Sequence, residues 1–221
     1  EKLMKLFIQF LVVGGMPSAV SKFAETHNIN DVLIIHKEIL ELYKMDFTKY
    51  ETEDKRLQIV NVYNLIPAEL LKQNRRYIVS DLKKGLHFER VQSSFLWLNN
   101  AGVAHSVYKA TEPRSPLKLS EKQSLLKLYL SDVGMLTSIY GMDTKRRIIS
   151  RDPHINAGGI YENAIAQQLK CNGFDLYYYN SNRLGELDFI IEYKGTPLPI
   201  YMAMFVERDP DKDFIVEPVI F

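Results

Sequence analysis

Two runs rich in β-branched and aromatic residues, ELDFIIEY at 186–193 and PLPIYMAMF at 197–205, flank the dipeptide Lys194-Gly195. A two-residue glycine turn between such runs predicts an antiparallel hairpin. Upstream, FDLYYYN predicts another strand and SNRLG the turn after it. The spacing of Ile160, Ala164, Ile165 and Leu169 predicts a helix from Gly159 that stops at Gly173, with Glu162 in its first turn. Glu186 and Asp188 are two residues apart and therefore share one face of their strand. A helix acid and two strand acids can thus converge. Clustered carboxylates raise one another's pKa unless a cation relieves them, and Mg²⁺ or Mn²⁺ prefers oxygen ligands. The chemistry expected of a divalent ion held by such a cluster is metal-assisted phosphodiester hydrolysis beside a charge-stabilising lysine.

The first third reads as helical. Residues 2–13 form a helix with Leu3, Phe7, Phe10 and Leu11 on one stripe. A second helix starts at Pro17 and runs to His27, and a third, from Asp31 to Phe47, turns Leu33, Ile34, Ile39, Leu40 and Tyr43 inward. Gly14-Gly15 lacks the following Gly-Lys of a phosphate loop and reads as a hinge or cap. Residues 53–73 predict a helix broken at Pro67, then a strand at Tyr77–Val79 and a helix capped by Ser80 and ended by Gly85. A helix over 88–100, with Val91, Phe95, Leu96 and Leu98 inward, precedes two strands, VAHSVYKA and LLKLYLS. That order is the order of a winged helix-turn-helix. Arg75, Arg76, Lys83, Lys84 and Arg90, with His87, form the densest basic cluster and are the candidate DNA contacts. DVGMLTSIYG predicts a short helix capped by Asp132 and stopped by Gly141, and the polar stretch after it reads as a linker.

Other residues have plainer readings. Alternate rings of Tyr177-Tyr178-Tyr179 are expected inside, Trp97 belongs to a core, and His87 and His154 lack a second ligand at metal spacing. With 28 Lys and Arg against 27 Asp and Glu, net charge favours no polyanionic partner. No apolar run approaches the roughly 20 residues that cross a bilayer. One cysteine, Cys171, permits no internal disulfide, so a reducing cytoplasm is expected. The chain opens inside a helical pattern with no cap ahead of it, and a longer protein is expected upstream.

Several motifs then resemble a known family: GGMP at 14–17, IPAELLKQN at 66–74, SDLKKG at 80–85, WLNNAGV at 97–103, KLYLSDVGML at 127–136, IYENAIAQQL at 160–169 and YYYNSNRLGELDFIIEYKG at 177–195. In this order they are similar to the C-terminal region of prokaryotic AAA+-type ATPases, described as a winged helix followed by a PD-(D/E)XK nuclease-like portion. The resemblance implies an α+β chain with the helical tail of the ATPase at 1–52, a winged-helix module at 53–145 and a restriction-endonuclease-like α/β module at 158–221. It implies Glu162 and Asp188 as catalytic groups and Glu162, Glu186 and Asp188 as ligands of a Mg²⁺ or Mn²⁺ ion, an upstream ATPase domain as partner, and no ATP binding within these residues. Relatives of that kind continue Leu-Pro-Ile with Glu-Val-Lys, whereas Leu198-Pro199-Ile200 is followed here by Tyr201-Met202-Ala203. Either the site is degenerate, or about sixty residues of nuclease core belong between Ile200 and Tyr201. The alternative function is a catalytically inactive regulatory or oligomerisation scaffold.

Overall fold

The computed structural model describes residues 2–47, 49, 52–79, 82, 87–181, 185–200, 202–209 and 212–220, the last two segments by backbone alone. Helix α1 (Lys2–Val13) buries Ile8, Leu11, Val12 and Val13. The expected stripe is therefore rotated: Leu3 is exposed, while Phe7 and Phe10 pack at the margin. Pro17 opens α2 (Pro17–Thr26), and α3 (Ile29–Phe47) buries Val32, His36, Leu40 and Phe47. Ile34 of α3 lies in solvent, against expectation.

Helix α4 (Glu53–Leu71) runs unbroken through Pro67, where the sequence predicted two helices. An interior proline costs about 3 kcal/mol of helix stability. Tertiary contacts hold the helix on either side of it: the Tyr140 hydroxyl donates to the Pro67 carbonyl at 2.7 Å and the Tyr77 hydroxyl to the Val62 carbonyl at 2.9 Å. Tyr77–Val79 is not a strand; its Tyr77 amide bonds the Leu126 carbonyl at 2.9 Å. The expected helix after Ser80 falls outside the described residues. Helix α5 (Phe88–Asn100) buries Val91, Phe95 and Leu98 but leaves Leu96 exposed. Trp97 packs edge-on to Phe47 at 5.3 Å between centroids.

Strands β1 (Ala104–Ala110) and β2 (Glu121–Leu130) pair antiparallel, as a wing would. They do not stand apart. Strands β3 (Tyr177–Ser181), β4 (Gly185–Tyr193) and β5 (Thr196–Ile200) join them in one five-stranded sheet, order β2-β1-β3-β4-β5, with β1 and β3 parallel. Between the two groups lie α6 (Val133–Tyr140), α7 (Met142–Ile149) and α8 (Gly158–Cys171). Much of the expected linker is thus helix α7. A single core cluster runs from α1 to β4 across it. Tyr178 enters that cluster, and Tyr177 and Tyr179 enter a smaller one with Ala110, Leu117 and Ile190 on the opposite face, as a period of two requires.

Lys194 and Gly195 both adopt positive φ and close the predicted hairpin. The last predicted strand is corrected: β5 ends at Ile200, and β6 (Met202–Asp209) pairs with β7 (Lys212–Ile220) in a separate two-stranded sheet. The architecture is mixed α+β, as expected. Among the described residues no single helix is long and apolar enough to span a membrane.

Candidate functional site

Helix α8 carries Glu162, Asn163 and Gln167 on a stripe that is buried and polar. Each of these side chains bonds to the chain itself. Glu162 accepts from Arg75 Nη1 at 2.5 Å on Oε1 and from the Tyr129 hydroxyl at 2.7 Å on Oε2. Asn163 clasps Leu130, accepting from its amide at 2.8 Å and donating to its carbonyl at 3.0 Å. Gln167 accepts from the Val133 amide at 2.9 Å and donates to Asp132 at 3.2 Å. The helix therefore seals the junction where β2 turns into α6. Arg75 reaches Glu162 across Gly158, where a Cβ would collide with the guanidinium.

Lys127 completes the charge cluster. It alternates with apolar neighbours on β2, so it faces the same way as Tyr129, toward α8. Its ammonium lies 3.8 Å from Glu162 Oε2, 3.3 Å from Glu186 Oε1 and 5.3 Å from the centre of the Tyr178 ring. Glu186 also accepts from Asn180 Nδ2 at 3.1 Å. Asp188 stands two residues along the same strand, half-buried, and its charge acts on both Glu162 and Tyr129. The three carboxylates singled out from the sequence thus lie in one region.

Burial holds the Glu162 carboxyl above the ordinary carboxylate range, and Asp188 adds to the rise, while Lys127, Arg75 and the Tyr129 hydrogen bond oppose it. Tyr129 is raised well above its ordinary value, first by burial and then by Glu162.

These donors do not fit a resident Mg²⁺ or Mn²⁺ as they stand. Both Glu162 oxygens are engaged, and among the described residues no group of three or more His, Cys, Asp or Glu is placed to hold a metal ion. The candidate basic face is also divided. Arg75 is spent on Glu162, and Arg76 is half-buried with its charge acting on Tyr178. Arg90 is exposed in the first turn of α5, and Lys83 and Lys84 lie outside the described residues.

A second buried network forms at the predicted cap of α6. Asp132 accepts from the Met135 amide at 2.8 Å and from the Gly15 amide at 2.6 Å. Gly14, at φ 74, leaves no room for a side chain against that carboxylate. The Gly14-Gly15 turn thus cradles an acid of its own chain. Beneath it the Lys145 ammonium donates to Val12 O, to Gly134 O at 3.1 Å and to Thr137 Oγ1 at 2.9 Å. Burial pulls Lys145 down to about 7. Three oxygen acceptors use all three N–H bonds of an ammonium, so the geometry favours the charged form. His36 Nδ1 meets Ser138 Oγ at 2.7 Å, and burial, then Lys145, lowers its pKa to about 3.

Sequence reasoning assigned no role to Lys127, Tyr129 or Lys145. A signal existed for the first: one lysine inside the apolar run LLKLYL, where a solvated strand face would carry more. No curated protein and no solved structure matches the chain. A family model matches residues 4–146, which include Arg75, Lys127 and Asp132 but not Glu162, Glu186 or Asp188, and its description names neither an ATPase nor a nuclease. On that match, which spans well over half of its length, the chain belongs to the family described as Domain of unknown function (DUF8612).

Proposed function

We propose that this chain is a catalytically inactive regulatory or oligomerisation scaffold that accompanies an ATPase domain. The observation that carries this reading is the closure of Glu162 by Arg75, Tyr129 and Lys127. A metal-dependent hydrolase needs carboxylate oxygens free to bind its cation and substrate. Here the chain's own cations take that role, and Asn163 and Gln167 of the same helix are likewise spent on backbone. The motif IYENAIAQQL is then a device for fastening α8 to β2 and α6.

A second reading, a nuclease-like module binding DNA and a divalent ion, draws on Lys127 standing between Glu162 and Glu186 with Asp188 nearby, and on the Tyr178 hydroxyl, which is buried with no hydrogen-bond partner among the described residues. Cleavage assays on single- and double-stranded DNA and on RNA, with Mg²⁺ or Mn²⁺, separate the two. The scaffold reading expects no product from any of them. Cleavage by the wild-type chain that Asp188→Ala abolishes would sink it.

A further inference from the structure

We infer that both edges of the five-stranded sheet are closed to strand addition, so neither a partner nor a further copy of this chain extends it. The argument starts at the hairpin of β4 and β5. A two-residue turn of two positive-φ residues, Lys194 and Gly195, makes the flanking pair Tyr193 and Thr196 a hydrogen-bonded pair. Pairs alternate along an antiparallel ladder, so Ile191 with Leu198 and Phe189 with Ile200 are hydrogen-bonded as well. Pro197 opposite Glu192 and Pro199 opposite Ile190 fall at the positions between. Their nitrogens therefore point away from β4, toward the free edge.

Neither nitrogen carries a hydrogen. An incoming strand needs alternating donors and acceptors along an edge, and Pro197 and Pro199 remove the donors from the outward-facing positions of this five-residue strand. The protection has a clear target, since β5 is the last strand of the sheet and Leu198 is exposed on it. An unguarded edge of this composition is a template for self-association.

The opposite edge, β2, is closed by other means. The Tyr77 amide bonds Leu126 O at 2.9 Å, and the Asn163 carboxamide takes both the amide and the carbonyl of Leu130. Farther out, the register jumps from Tyr108 opposite Leu126 to Lys109 opposite Lys122, which loops out residues 123–125 and leaves the exposed Lys122 near the strand's start. Bulges and edge lysines are both barriers to pairing.

The experiment is the Pro197→Thr/Pro199→Thr double variant of the full chain, which restores two amides without disturbing the ladder to β4. At low concentration both new amides should exchange with solvent at nearly unprotected rates. On raising the concentration the variant should associate beyond wild type by sedimentation, and the same two amides should become protected. Amides already protected at dilution would mean that these positions face β4, and sedimentation identical to wild type throughout would mean that the prolines guard nothing. Either outcome overturns the inference. Pro199→Thr alone, measured the same way, serves if the double variant does not fold.

Discussion

Lys127 on β2 reaches Glu186 on β4 at 3.3 Å although two strands, β1 and β3, run between them. Neighbouring strands lie about 4.8 Å apart, so the two side chains must lean toward each other along one face of the sheet. The ammonium rests beside the Tyr178 ring on the way, at 5.3 Å, and Glu162 of α8 approaches it at 3.8 Å. Lys127 is only 1% exposed. An ammonium taken out of water is tolerated only where carboxylates and hydrogen bonds replace the lost hydration. That requirement makes the cluster a fastener between sheet and helix.

Breaking the fastener should be costly. Lys127→Met leaves Glu162 and Glu186 without their shared cation, and we expect a loss of about 2–4 kcal/mol in urea unfolding. Adding Glu186→Gln should recover part of it, because the half-exposed acid no longer faces Glu162 uncompensated. A loss below about 0.5 kcal/mol would place Lys127 outside the energetics of the fold.

Arg75 and Glu162 should be coupled. In a double-mutant cycle built from Arg75→Met and Glu162→Gln, the interaction term is expected at about 1–3 kcal/mol, since the acid is fully buried and the pair is 2.5 Å apart. Additive effects would contradict the pairing.

The Asp132 network should matter about as much. Asp132→Ala strips the α6 cap and the partner of the Gly15 amide together, for an expected loss of about 2–4 kcal/mol. Gly14→Ala should also destabilise, through its positive φ and the contact with the same carboxylate. Thermal unfolding of the two variants checks both.

Acid sensitivity should carry a His36 component. Its folded pKa is about 3 against 6.5 in the unfolded chain, so the unfolded state binds more protons between these values. Stability from this group is therefore full above pH 6.5 and is lost as pH falls toward 3, with a slope of at most about 1.4 kcal/mol per pH unit. His36→Asn should flatten that part of the stability profile. An unchanged slope would show that His36 titrates normally.

Much of the fold could be read from local pattern. Helices α1, α2, α3, α5, α6 and α8 were legible because apolar periodicity, Pro17, Asp132, Gly141 and Gly173 mark their bodies and ends. The turn at Lys194-Gly195 was legible for the same reason. What escaped depended on distant partners. The helix runs through Pro67 with Tyr140 and Tyr77 bonded to carbonyls on either side of it, and Tyr77–Val79 meets β2 through the Tyr77 amide in place of a ladder. The convergence of Glu162, Glu186 and Asp188 was visible in the spacing, but the groups that close Glu162 come from a loop and a strand 87 and 33–35 residues away: the cations of Arg75 and Lys127 and the hydroxyl of Tyr129. Nothing local signals such pairings.

The central claim is that the chain's own cations satisfy the carboxylate cluster. Electron paramagnetic resonance of Mn²⁺ titrated with the full chain tests it most directly. The account predicts that the free-Mn²⁺ signal is the same with wild type, Glu162→Gln and Asp188→Ala. Signal lost on adding wild type and restored by either substitution would contradict it.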